Sequence, residues 1–176
     1  KQATNSLYLA QILRELPQET PQETVRRSFA WLAELMTLHL DAELPDVDRG
    51  RILSVVGEIY TRAGLWEEAC GALETATLLL EGDERASAQY LHSLALAGLG
   101  NTEEALACAR QAAAGVPNSF QVRWNLAKRL ADAGKFAEAR FEYGVLLASS
   151  SVPEEVRARL RAEREAVEAK PGEEAL

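Results

Sequence analysis

Gly64-Leu65-Trp66-Glu67-Glu68-Ala69 is the stretch whose reading decides the fold, because it returns as Gly100-Asn101-Thr102-Glu103-Glu104-Ala105 and again as Gly134-Lys135-Phe136-Ala137-Glu138-Ala139. Each copy reads as a corner between two helices. The Gly closes an apolar-periodic segment and can take the left-handed conformation that ends a helix. The acidic residues fall in the first turn of the next helix, where they complement its dipole. The Ala leaves room for two helix backbones to approach. The three glycines stand 36 and then 34 residues apart, a period that belongs to stacked helix pairs rather than to one globular core.

Working outward, the helix before Gly64 carries Ile52, Leu53, Val56 and Tyr60 on one face, and its partner carries Ala69, Leu73, Ala76 and Leu80. Glu81-Gly82-Asp83 is expected to turn the chain and to supply the two residues that stretch the first period. The second pair begins at about Ala86, passes Tyr90, Leu91, Leu94 and Leu96, and returns through Ala105, Ala109 and Ala112 until Pro117 closes it. Asn118 and Gln121 have capping-box spacing and open the third pair, which holds Trp124, Leu126, Ala127 and Leu130, then Ala139, Tyr143 and Leu146.

Both flanks read as caps, the N-terminal one with a degenerate first repeat as the alternative. Leu7 to Leu16 is apolar at helical spacing and stops at Pro17; Thr20-Pro21-Gln22-Glu23 then opens a second helix running to about Leu40. Asp41 to Asp48, with Pro45, forms the joint that follows. At the other end Ser151-Val152-Pro153-Glu154 opens a helix to about Ala169 with Val156, Leu160 and Val167 as its large apolar residues, a stripe suited to covering the last pair on one side. The expected organisation is an N-terminal helical hairpin over 1-44, three helix pairs over 45-152, and a capping helix with a frayed tail over 153-176. The fold class is all-α.

Composition agrees. The chain is 47% hydrophobic and 26% charged, the profile of a folded domain, and aromatic residues make up only 6%. A net charge of -8 argues against nucleic acid or an anionic membrane, which need a basic face. No apolar run is long enough to cross a bilayer. The chain begins without Met, as a mature or excised piece would, and its compartment is left open, the cytoplasm being favoured over the periplasm.

Little in the sequence carries chemistry. Cys70 and Cys108 occupy similar places in successive pairs, about 10 Å or more apart and so beyond the reach of a disulfide, and read as small buried apolar residues. His39 and His92 lie in different pairs with no Cys or acidic neighbour at ligand spacing, so no metal or other cofactor is expected. Ala97-Gly98-Leu99-Gly100 fits a helix end rather than a phosphate loop, and no nucleophile elbow exists. Consecutive helical residues diverge by about 100°, so Glu67-Glu68 and Glu103-Glu104 are helix starts and not an acid-base pair. The chain is not expected to be an enzyme.

Taken together, these residues resemble the tetratricopeptide repeat. In its 34-residue frame the small eighth position is met by Gly57, Ser93 and Ala127, the twentieth by Ala69, Ala105 and Ala139, and the closing Pro by Pro117 alone. The fourth position, often Trp in that family, holds Leu53, Gln89 and Arg123, and the aromatic residues move one place on, to Tyr90 and Trp124. The resemblance covers about residues 50 to 152. It implies a right-handed superhelical stack whose first helices line a concave groove that receives a peptide or helix of a partner protein. Carried onto this chain, the groove residues are Val55, Glu58 and Arg62, then Tyr90, Leu91 and Leu94, then Trp124, Asn125 and Lys128. The clamp that some members use for a terminal carboxylate is not matched, since Ser54, Glu58, Leu91 and Gln121 stand in its places. An apolar or amphipathic protein segment is the expected guest. The alternatives are a small secretion-type chaperone holding an apolar client segment, and a module that fills its groove with another copy of itself.

Overall fold

The structure is a computed structural model and describes residues 22–37, 44–150 and 152–170. Within them lie eight α-helices and no strand: α1 (Gln22–Thr37), α2 (Asp46–Ala63), α3 (Trp66–Leu79), α4 (Gly82–Gly98), α5 (Thr102–Gly115), α6 (Phe120–Asp132), α7 (Phe136–Ala148) and α8 (Glu154–Glu168). The first helix of the expected N-terminal hairpin, His39 and the end of the chain lie outside the described residues.

The repeated turn does what its sequence demands. Gly64, Gly100 and Gly134 have φ of 70°, 82° and 76°, the left-handed region that other L-residues adopt only at a cost. In each copy the amide after the glycine donates back across the turn: Leu65 N–H to Tyr60 O, Asn101 N–H to Leu96 O, and Lys135 N–H to Leu130 O, at 2.9, 3.0 and 2.9 Å. These bonds satisfy carbonyls that a helix end would otherwise leave bare. Glu67, Glu68, Glu103, Glu104 and Glu138 fall in first turns. Ala69, Ala105 and Ala139 are completely buried.

Two local expectations are corrected. The turn expected at Glu81-Gly82-Asp83 is shorter and earlier: Leu80 and Glu81 are extended, Gly82 has φ of 54°, and α4 already starts at Gly82, with Asp83 and Glu84 in its first turn. The two extra residues of the first period therefore lengthen a helix. At the third pair the capping side chain is Ser119 rather than Asn118, its Oγ accepting from Val122 N–H at 3.5 Å.

Helix α1 packs on α2, and each helix from α2 to α8 packs on the next; in addition α2 touches α4 and α4 touches α6. The second helices α3, α5 and α7 have no comparable contact with one another. First helices closer together than second helices bend the stack, placing α2, α4 and α6 along its inner face. Close approach is built from small residues. A Cβ on Gly57 would lie 2.3 Å from the Leu73 side chain, and one on Gly98 would lie 2.4 Å from the Trp66 ring. The core is continuous in kind but divided in place: Ala33, Met36, Ile52, Val56 and Ile59 form one cluster beneath α1, while Leu126, Leu130, Tyr143, Leu146, Leu160 and Val167 form another beneath α8.

Candidate protein-binding groove

On α4, Tyr90 and Leu94 are four residues apart and share a face, and on α6 Trp124 and Lys128 do the same. All four side chains are partly exposed. Neither Tyr90 nor Leu94 belongs to a buried cluster. Burial, and then the Glu58 carboxylate on α2, push the Tyr90 phenol above its usual range, which places Tyr90 against the neighbouring first helix. Glu58 forms an ion pair with Arg62 one turn on, at 3.0 Å. Lys128 has no ion pair among the described residues, so its ammonium is the cation on this face left open to a guest.

Other expected groove residues are spent elsewhere. Val55 is buried among Ala33, Met36 and Ile52, because α1 covers that side of α2. Leu91 packs against Ala69, Leu73 and Ala95, facing the first pair rather than the groove. Asn125 is buried as well: its Nδ2 donates to Ser93 Oγ at 2.9 Å, and that hydroxyl donates to Ala105 O at 2.8 Å. The amide thereby ties α6 to α4 and to the second turn. Being one place along from Tyr90 and Trp124, Leu91 and Asn125 are rotated about 100° around their helices, which buries Asn125 and turns the partly buried Leu91 toward the first pair.

Trp124 has a partner that the sequence did not disclose. Its Nε1–H donates to Glu163 Oε2 on α8 at 2.5 Å, and the Tyr143 hydroxyl donates to the same oxygen at 3.2 Å. Arg159 lies over the indole, 4.8 Å from the ring centroid, and bonds Glu163 Oε1 at 3.0 Å. One carboxylate thus holds two aromatic donors and a guanidinium, and fixes the end of the inner face. Burial, reinforced by Glu163, raises the Tyr143 phenol far above its usual range, so Tyr143 remains a donor. Nothing in the sequence pairs Trp124 with a residue 39 places away.

On the outer side, His92 Nδ1 stands 3.8 Å from Cys108 Sγ, a neighbour hidden by a separation of sixteen residues. Burial lowers the affinity of His92 for a proton, with Glu74 partly opposing it. Cys70 and Cys108 are unlinked and partly rather than fully buried. Burial raises both thiols, with acidic neighbours adding to the effect, so neither has the character of a reactive thiolate. Among the described residues no group of three His, Cys, Asp or Glu side chains is placed to hold a metal ion, and no helix is long and apolar enough to cross a membrane.

No protein-family model matches the chain, and no curated protein is significantly similar to it. Among solved structures it is similar to a Podosopora anserina putative kinesin light chain with nearly identical TPR-like repeats. The TM-score is 0.67 at 15% identity, over 96% of this chain and 97% of the other. Likeness at that identity shows the fold. The chain is a TPR-like, all-α solenoid.

Proposed function

We propose that the protein is a non-catalytic scaffold that binds a segment of a partner protein along its inner face, with Tyr90, Leu94 and Trp124 as apolar contacts and Lys128 as the polar one. One observation supports this reading: Tyr90, Leu94, Trp124 and Lys128 are partly exposed on the consecutive first helices α4 and α6, while Ala95 and Asn125, one place on from Leu94 and Trp124, are buried. Neither Tyr90 nor Leu94 packs against a buried cluster, whereas Trp124 also seats α8. The Glu58–Arg62 pair lies on the first-repeat side of the same face and gives it a mixed rim. In this reading the N-terminal hairpin and α8 are caps over the two ends of the three pairs.

Such a groove suits a short apolar or amphipathic segment, since its proposed contacts are mainly apolar. A double variant, Tyr90→Ala with Leu94→Ala, avoids the tether between Trp124 and α8 and tests the reading. Partner recovery falls at least tenfold, the scale of losing interface anchors, while helicity is unchanged. Unchanged recovery with unchanged helicity contradicts the assignment.

A further inference from the structure

Pro171-Gly172-Glu173-Glu174-Ala175-Leu176 follows α8 and lies outside the described residues, but the place it sets out from is fixed. Helix α8 ends at Glu168, and the Lys170 N–H donates back to Val167 O at 3.2 Å. The Lys170 ammonium stands over the Phe136 ring, 5.1 Å from its centroid. Phe136 opens α7 directly after the Gly134 corner, so this anchor lies at the C-terminal end of α6. Lys128 stands one turn before that end, about 6 Å back along the helix from Asp132.

The chemistry of the six residues matches what the inner face leaves open. Pro-Gly marks a turn and redirects the chain beyond α8. Two acids and then Ala-Leu follow. On α6, Arg123 pairs with Glu142 and Arg129 with Asp132, and across the face Arg62 pairs with Glu58; Lys128 has no ion pair among the described residues. Beside it, Leu94 and Tyr90 are partly exposed and belong to no buried cluster. Six extended residues reach about 20 Å at most, comparable to the two helix spacings of about 8–10 Å that lead from α8 past α6 to α4.

We infer that, without a partner, residues 173–176 lie on the chain's own inner face, a Glu173 or Glu174 carboxylate pairing with Lys128 and Leu176 resting on Leu94. The inference rests on the proposed groove and gives it a competitor that a partner must displace. An exposed ion pair is weak. Tethering, however, presents the segment at an effective concentration in the millimolar range, so weak contacts hold it and a partner with more contacts removes it.

Methyl NMR of the whole chain tests it. Nuclear Overhauser contacts between the Leu176 and Leu94 methyls are expected, unchanged on dilution and weakened as salt is raised. Glu173→Lys with Glu174→Lys and Leu176→Ser should move the Leu94 signals and leave the melting curve as it is. The end-capped peptide of residues 171–176, added to that variant, should restore the signals saturably, and a few-fold more weakly when Lys128→Gln is also present. No Leu176–Leu94 contact, or a peptide effect indifferent to Lys128, would overturn the inference. So would a segment seated on Arg161, whose ion pair with Glu154 is stretched to 4.0 Å. Leu94 signals that move with protein concentration would overturn it by assigning the segment to a second copy. Partner recovery separates this inference from the groove itself: the altered segment should raise recovery about two- to tenfold by freeing the face. If it does not, while Tyr90→Ala with Leu94→Ala still depletes partners, the groove stands and its competitor falls.

Discussion

The second and third helix pairs share one turn and one frame but are packed by opposite means. In the second, Ala88, Ala95, Ala105, Ala109 and Ala112 are all fully buried and the helices meet almost backbone to backbone, with the Ser93 hydroxyl as the buried polar link. In the third, Leu130, Tyr143 and Leu146 fill the interior, and α8 is held on by Leu160, Val167 and the Glu163 carboxylate. A pair flanked on both sides by similar pairs can be built of alanine, because its neighbours fix the spacing. A pair that must seat a different kind of helix needs large side chains and directed polar bonds. The second pair should therefore resist enlargement and the third should resist truncation.

Truncation should have the larger effect. Tyr143→Ala removes a buried ring and one donor to Glu163, and is expected to cost about 3–5 kcal/mol in chemical denaturation. Tyr143→Phe keeps the volume and loses the hydroxyl bond, for about 0.5–1.5 kcal/mol. If both cost the same, packing is not what holds the third pair. Enlargement at the completely buried Ala105, as Ala105→Leu, should cost about 1–3 kcal/mol; a neutral result would show that the second pair is looser than its alanines imply. Glu163→Gln keeps the shape but loses the charge shared by Trp124, Tyr143 and Arg159. It should cost about 1–2 kcal/mol and loosen α8 before the rest, read by amide exchange at Leu160 and Val167.

The smallest effect expected is a pH dependence belonging to the second pair. Burial depresses the proton affinity of His92 below the ordinary value near 6.5, so the unfolded chain binds the proton more readily. The stability due to neutral His92 is complete above about pH 6.5 and is lost as pH falls toward the depressed folded value. His92→Gln should flatten that part of the profile between wild type and variant. An identical acid slope in both proteins would remove His92 as its source.

Much of the fold was legible because the turn is written three times and a helix end has strict needs: a residue tolerant of positive φ, acids behind it, and a small residue where backbones meet. Gly64, Gly100 and Gly134 meet the first, and Ala69, Ala105 and Ala139 the last. The start of α4 was misread because Gly82 resembles a breaker, yet as the first helical residue it costs the helix little and its positive φ suits the bend from the extended Leu80-Glu81. The groove was less legible. A repeat frame assigns positions by number, whereas a rotation of about 100° decides whether a side chain meets water or core. Trp124 falls on one side of that division and Asn125 on the other, while Tyr90 and Leu91 are both partly buried and differ in what they face. The Trp124–Glu163 bond and the His92–Cys108 contact join distant segments through tertiary packing, and no local pattern encodes them.

The central claim, that the inner face binds a protein segment through partly exposed side chains such as Tyr90 and Leu94, is tested most directly by quantitative recovery of proteins bound in the native source. Three forms are compared: wild type, Tyr90→Ala with Leu94→Ala, and the exposed α3 control Leu78→Ala. The account predicts a partner retained by wild type and by the control and depleted at least tenfold from the groove variant, whose melting curve stays that of wild type. The same partners recovered in equal amounts by all three folded proteins would contradict it.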